Sequence, residues 1–313
     1  MSPTPAWPAL RLDDWSKTRE TLHMWLQIIG KIELVSTSLI NHWWNVTYEV
    51  SARGLRTRLM HDRLRQFDAE FDFVNDELVF RVADGTSASV PLTSQSVADF
   101  YAAVNAAMAQ LSIECRIFER PNEVTPAIPF PEDTELHTYD AAAAHTYWQQ
   151  LLHMERVFSY WRACFAGKDS PVQVFWGSMD LSCARYSGRP APPHNGSPPN
   201  CPQWVMNEAE DRENASAGYW PGGSEEGSFY AYTYPEPDGY RTAKVSVGYF
   251  DDTLGEWILP YETVRTADDP DATLLTFLNE TYSAAADLAK WDRKLFDVDP
   301  HRFDKHYAAL RQQ

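Results

Sequence analysis

Several stretches of this chain place side chains able to move a proton or grip a small molecule. His23, Gln27 and Lys31 recur every four residues, so on a helix they form a polar stripe beside the apolar one, a pattern that a solvated helix face also gives. Asn41-His42-Trp43-Trp44 sets an imidazole among indoles. On a strand His42 shares a face with Trp44, Val46 and Tyr48, either as an acid–base group titrating near neutral pH or as a hydrogen-bonded core histidine. Read as one strand, Phe175-Trp176-Gly177-Ser178-Met179-Asp180 puts Trp176, Ser178 and Asp180 on one face, with Arg185 and Arg189 soon after. A carboxylate beside tryptophan is costly unless paired, which makes Arg185 the expected partner and leaves a structural Asp–Arg bridge and a catalytic acid as the two readings. His194 ends the segment Arg189-Pro190-Ala191-Pro192-Pro193-His194, whose prolines hold an imidazole in place at low entropic cost. Surface decoration is the plainer alternative for it.

Tyr219-Trp220-Pro221-Gly222-Gly223 precedes Phe229–Pro237, where Tyr230, Tyr232 and Tyr234 share one strand face that leads to Glu236. Aromatic faces beside carboxylates suit a cation, a sugar face or a planar organic ligand. A tyrosine-rich interface between two halves of the chain has the same appearance. No Walker loop, Gly-x-Gly-x-x-Gly turn, His-Glu-x-x-His helix or Gly-x-Ser-x-Gly elbow is present, so nucleotide-dependent chemistry has no support and no cofactor is expected.

The elements that must position these groups read as α+β. A period of 3.6 in Leu22, Trp25, Ile29, Ile32 and Val35 predicts a helix over about Asp14–Val35, and alternation then predicts a strand over His42–Val50. Further strands are expected at Phe67–Val74, Glu77–Val82 and Ser87–Leu92 as an antiparallel meander, then a helix capped by Ser96 and a short strand at Glu114–Phe118. Pro121–Pro131 reads as a linker. Beyond it, Asp140 caps a long helix, strands follow at Val172–Leu181, Phe229–Tyr234, Lys244–Phe250 and Trp257–Pro260, with a short helix near Gln203–Asp211, and Asp269-Pro270 opens a last helix. The expected organisation is two α+β halves, 1–130 and 131–313, packed tightly together. A duplicated α-β-β-β-α unit and ordinary recurrence of α+β elements both fit their order.

With 313 residues, 44% hydrophobic and 13% aromatic, the chain can bury a large core. Its net charge of −17 repels phosphate backbones and anionic lipid, so neither nucleic acid nor a membrane surface is an expected partner. Met1–Leu12 lacks a basic segment followed by an apolar one, and no run approaches the about 18 apolar residues of a spanning helix, so a cytoplasmic location is expected. Cys115, Cys164, Cys183 and Cys201 form no Cys-x-x-Cys pair and, in a reducing compartment, read as small buried hydrophobes.

Thr21-Leu22-His23 through Gly30-Lys31, Asn41-His42-Trp43-Trp44, Phe71-Asp72-Phe73, Phe175-Trp176-Gly177-Ser178, Ser187-Gly188-Arg189 to His194, Ala217–Gly222 and Tyr234-Pro235-Glu236-Pro237 together resemble a bacterial family of roughly 300-residue proteins known only as a domain of unknown function. The resemblance runs from Trp7 to about Asp292. It implies His23, His42, His194, Trp176 and Glu213 as site residues, and histidines where this chain carries Asn45, Asp76, Gln173 and Arg212. A set of histidines can hold a divalent metal, so those departures imply a remodelled pocket.

The function expected from all this is an enzyme acting on a small organic molecule, with His42 or His194 as acid or base and Asp180 or Glu213 as the orienting carboxylate. A non-catalytic binding protein for a small ligand, and a metalloenzyme built on His23, His42 or His194, are the alternatives. The oligomeric state is not readable.

Overall fold

The computed structural model describes residues 6–63 and 65–310. Met1–Pro5, on which the expected lack of a secretory signal partly rests, lie outside the described residues. The apolar period at the N-terminal end winds into α1 (Leu12–Ser36), whose second half is buried all round, from Trp25 to Glu33. Trp25 stacks on Phe100 with ring centres 4.6 Å apart, and such pairs add about 0.5–1.5 kcal/mol to the burial of the rings themselves. The His23, Gln27, Lys31 stripe is therefore not a solvated face: Gln27 is 0% and Lys31 4% exposed.

After α1 come β1 (Thr47–Val50), β2 (Gly54–Arg56), β3 (Met60–Asp62), β4 (Arg65–Asp72), β5 (Glu77–Val82) and β6 (Ser87–Pro91). Helix α2 (Val97–Gln110) begins where the Ser96 hydroxyl accepts from the Asp99 amide at 3.0 Å. Helix α3 (Ala141–Ala163) begins where Asp140 accepts from the Ala142 and Ala143 amides. Then follow β7 (Lys168–Asp169), β8 (Gln173–Phe175), β9 (Asp180–Pro190), α4 (Gln203–Ala209), β10 (Arg212–Trp220), β11 (Ser228–Tyr234), β12 (Tyr249–Asp251) and β13 (Glu256–Pro260). The chain closes with α5 (Tyr261–Arg265), α6 (Pro270–Leu288), which is capped by Asp269, α7 (Arg293–Phe296) and α8 (Asp304–Leu310).

The fold is α+β: one antiparallel, open sheet in the order β12-β13-β11-β10-β9-β8-β1-β2-β4-β5-β6, with β3 on β4 and β7 on β9. β1 joins β8, so the sheet runs through both halves of the sequence. Helix α3 packs on β1, β2 and β9, and α6 on β10 and β11. Among the described residues no helix is long and apolar enough to cross a membrane.

Four local expectations change. His42–Val50 is not one strand, because His42 and Trp43 take φ of 58° and 62° in a 3-10 turn and only Thr47–Val50 is extended. Val172–Leu181 is a hairpin: β8 and β9 turn back at Trp176–Met179, with Met179 at φ 64°, so Trp176 and Asp180 do not share a strand face. Glu114–Phe118 forms no strand, and of Lys244–Phe250 only the end, within Tyr249–Asp251, is extended. Strand β10 had no expectation, since Arg212–Trp220 is rich in small and polar residues and shows little alternation.

Glu33 illustrates what the all-round burial of α1 does to a charge. Its Oε1 accepts from the Arg58 amide at 2.7 Å, its Oε2 has no partner among the described residues, and burial pushes the carboxyl up to about 8 from 4.5. An acid whose pKa is higher folded than unfolded binds its proton more tightly when folded, so the stability it contributes is present below about 4.5 and is lost as pH rises towards about 8. Glu33→Gln is expected to flatten that loss, which thermal melts across this pH window will read as a widening advantage of the variant; a gap independent of pH contradicts it.

Candidate functional site

Side-chain alternation on β8–β11 gives the sheet two different faces. On the helical face Arg185 lies flat on Trp161, 3.8 Å from the ring centre, and 4.3 Å from that of Tyr282. Asp180, Ser182, Ala184 and Tyr186 of β9 face the other way, together with Asn214, Ser216 and Tyr232, and floor a cavity of about 500 Å³. Lys31 and Leu34 of α1 form one wall, and α4 with the segments around Asn122 and Asn200 forms the roof. The remaining lining includes the aromatic side chains of Trp43, Trp44, Phe118, Phe175 and Trp176. Trp176 reaches its place because α1 has Gly30 beneath the indole, where any Cβ would collide with the ring.

Glu123 is the most deliberately placed group in this cavity. Gln27 donates to the Asn122 carbonyl at 2.7 Å and accepts from the Asn122 amide at 2.7 Å, pairing side-chain amide with peptide. Lys31 donates to Asn122 Oδ1, the Glu123 amide to the Pro199 carbonyl at 2.7 Å, and the Asn200 side chain to the Val124 carbonyl at 2.7 Å. So held, Glu123 adopts φ 61°, a left-handed conformation that costs a non-glycine residue about 1–3 kcal/mol and gathers at functional sites. Its carboxyl lies against the Cα of Gly177, which has no Cβ to displace it. Among the described residues it makes no side-chain hydrogen bond or ion pair, and burial, with the Asp180 charge second, pushes it up to about 7.

Asp180 is fixed where Glu123 is free. It accepts from Ser178 at 2.7 Å and from Tyr230 at 2.6 Å, and burial raises its pKa against the effect of those two bonds. Tyr230 on β11 must cross β10 to reach it, which it does over Gly218, the residue paired with both Tyr230 and Ser182. A second buried carboxyl, Glu210, accepts from Asn214 at 2.6 Å and Tyr232 at 3.1 Å, and burial raises it too. Among the described residues Lys31 has no carboxylate partner; it lies over the Trp176 and Phe118 rings, and burial lowers its ammonium to about 8.

The histidines serve as struts. His42 Nδ1–H donates to the Ala209 carbonyl at 2.9 Å, its Nε2 accepts from the Lys168 ammonium at 2.7 Å, and the ring stacks on Tyr186. Burial first, then Lys168, lowers its pKa. The left-handed backbone at His42 and Trp43 thus pins α4, to whose Val205 carbonyl Trp43 also donates at 2.8 Å. His23 Nε2 lies 2.7 Å from the Gly177 carbonyl oxygen and 3.0 Å from the Gln27 amide nitrogen, and burial lowers its pKa as well. His194 is half-buried, its Nδ1 bonding the Gly196 carbonyl at 3.1 Å. With the three on different carbonyls, no group of three or more His, Cys, Asp or Glu placed to hold a metal occurs among the described residues.

Of the other expected site residues, Trp44, Trp176 and Tyr232 line the cavity, whereas Tyr230 braces Asp180. The expected Asp180–Arg185 bridge is not formed, because odd and even residues of β9 point to opposite faces. Glu213 pairs with Arg189 at 2.6 Å and accepts from Ser187, which fastens β9 to β10 rather than orienting a histidine. Tyr234 donates to the Pro192 and Pro193 carbonyls, Glu236 pairs with Arg241, and Trp220 lies over Gly222 and Gly223 outside the cavity. Glu123, Asn122 and Glu210 escaped the sequence reading. The only signal for the first two was a polar pair inside a proline-rich stretch.

Fold and site together define an α+β protein with an aromatic, carboxyl-bearing cavity on the loop-covered face of an open antiparallel sheet. The chain belongs to the family of unknown function DUF5996, which it matches over residues 7–298. Neither a curated protein nor a solved structure matches it.

Two substitutions test this geometry. Gly218→Ala puts a methyl group into the Leu181 carbonyl and the Tyr230 phenol and is expected to cost about 1–3 kcal/mol in denaturant unfolding. His42→Ala leaves the Ala209 carbonyl and Lys168 without their partner and is expected to cost about 3 kcal/mol by the same measurement. A neutral result for either removes the corresponding contact from the account.

Proposed function

We propose that this protein is an enzyme that transfers a proton to or from a small organic molecule in the aromatic cavity, with Glu123 as the acid–base group and Asp180 as the fixed carboxyl beside it. The observation that carries the reading is Glu123 itself: strained backbone, no side-chain hydrogen bond or ion pair among the described residues, a carboxyl facing the cavity and a pKa raised to about 7. A general acid–base group works best when its pKa lies near the working pH, and two carboxyls whose surroundings give them different freedom divide the roles between them. His42, favoured from sequence, has both ring nitrogens committed and supports the roof instead.

The test is untargeted mass spectrometry of a bacterial small-molecule extract incubated with the wild-type protein, Glu123→Gln and Asp180→Asn. A compound consumed by the wild type, and consumed at least about 100-fold more slowly by Glu123→Gln, is the expected result, with unchanged circular dichroism showing that the variant folds. A compound bound stoichiometrically by all three proteins and released unaltered would instead establish a non-catalytic binding protein.

A further inference from the structure

We propose that Lys31 is an amine nucleophile that condenses with the carbonyl carbon of a neutral aldehyde or ketone in this cavity to form a Schiff base. The proposal rests on the reading of the cavity as an active site and names its substrate class. Lys31 lines the cavity, is 4% exposed, and has its Nζ 5.3 Å from the ring centre of Trp176 and 5.7 Å from that of Phe118. Its one hydrogen bond is to Asn122 Oδ1, and among the described residues no carboxylate pairs with it. Cys201 is the titratable group that faces it, and Cys201 also faces Glu123, which in turn faces Asp180. An ammonium buried among rings without a counterion is costly, so the balance shifts towards the neutral, nucleophilic amine.

An unpaired lysine could also anchor a ligand carboxylate. Two features oppose that use: Glu123, Asp180 and Glu210 line the same cavity, and the chain carries a net charge of −17. A neutral carbonyl compound meets no such repulsion, and a flat unsaturated body fits the indole and phenyl walls. In the step, the Nζ lone pair forms the N–C bond while the carbonyl π pair moves to oxygen, which takes up a proton as the nitrogen loses one. The hydroxyl then leaves as water with a proton from Glu123, the nitrogen lone pair closes C=N, and the nitrogen gives its second proton back to the Glu123 carboxylate. One water is released, and nothing is oxidised or reduced.

The test is incubation of the full-length protein with benzaldehyde and sodium cyanoborohydride, followed by intact mass and peptide mapping. Expected is a single benzyl group on Lys31, added at least about tenfold faster than on the exposed Lys17, Lys244, Lys290, Lys294 and Lys305, because an ordinary lysine near 10.4 holds far less neutral amine at neutral pH. The rate is expected to peak between about 7, where Glu123 loses its proton, and about 8, where Lys31 loses its own. Labelling spread evenly over the exposed lysines, or absent from Lys31, overturns the proposal. Lys31→Arg, which keeps the charge, is expected to remove the fast label while leaving the thermal melt within a few degrees. Labelling of Lys31 that is unaffected by Glu123→Gln supports the Schiff base and refutes Glu123 as its acid. Loss of turnover in Glu123→Gln with Lys31 unlabelled does the reverse.

Discussion

Gln27 meets the backbone of Asn122 with both ends of its amide, donating to the carbonyl and accepting from the N–H, each at 2.7 Å. A fully buried glutamine with either end unsatisfied would cost about 1–3 kcal/mol, so helix and loop can join only in this register. The consequence reaches outward: Asn122 so fixed takes the Lys31 hydrogen bond, Glu123 is turned into left-handed backbone, and its carboxyl comes to rest on Gly177. One side chain on α1 thereby sets the positions of both the amine and the acid that the cavity offers.

The sheet supplies the other constraint. Because side chains alternate, β9 can hold an arginine over rings on its helical face and a carboxyl on its cavity face without the two meeting. Each is stabilised separately, Arg185 by rings and the Trp161 carbonyl, Asp180 by Tyr230 and Ser178. Gly218 between Tyr230 and Asp180 shows that the arrangement needs an absence of side chain as much as a presence. Such separation keeps Asp180 as an acid within a largely apolar cavity instead of consuming it in an ion pair.

Much of the fold was legible because it rests on local rules. The 3.6 period found α1, the serine and aspartate caps found the starts of α2, α3 and α6, and alternation found β5 and β11. The site was legible only in its walls: Trp44, Trp176, Lys31, Asp180 and Tyr232 line the cavity. What sequence patterns could not carry was the left-handed backbone at His42, Trp43 and Glu123, since strain of this kind is imposed by distant contacts. The histidines drew attention by their chemical type, yet His23 and His42 are already bonded to carbonyls, and the second ring nitrogen of His42 accepts from Lys168. Asn122 and Glu123 looked like linker because their meaning lies 95 residues away, in Gln27.

The central claim is that this clamp holds the Glu123 carboxyl in a buried place where its pKa is raised. A side-chain carboxyl titration by carbon-13 NMR, with Glu123→Gln to assign the signal, tests it directly. The account predicts a midpoint near 7 in the wild type and a fall towards the ordinary value of about 4.3 in Gln27→Ala, where the clamp is lost. A wild-type Glu123 that already titrates near the ordinary glutamate value would contradict it.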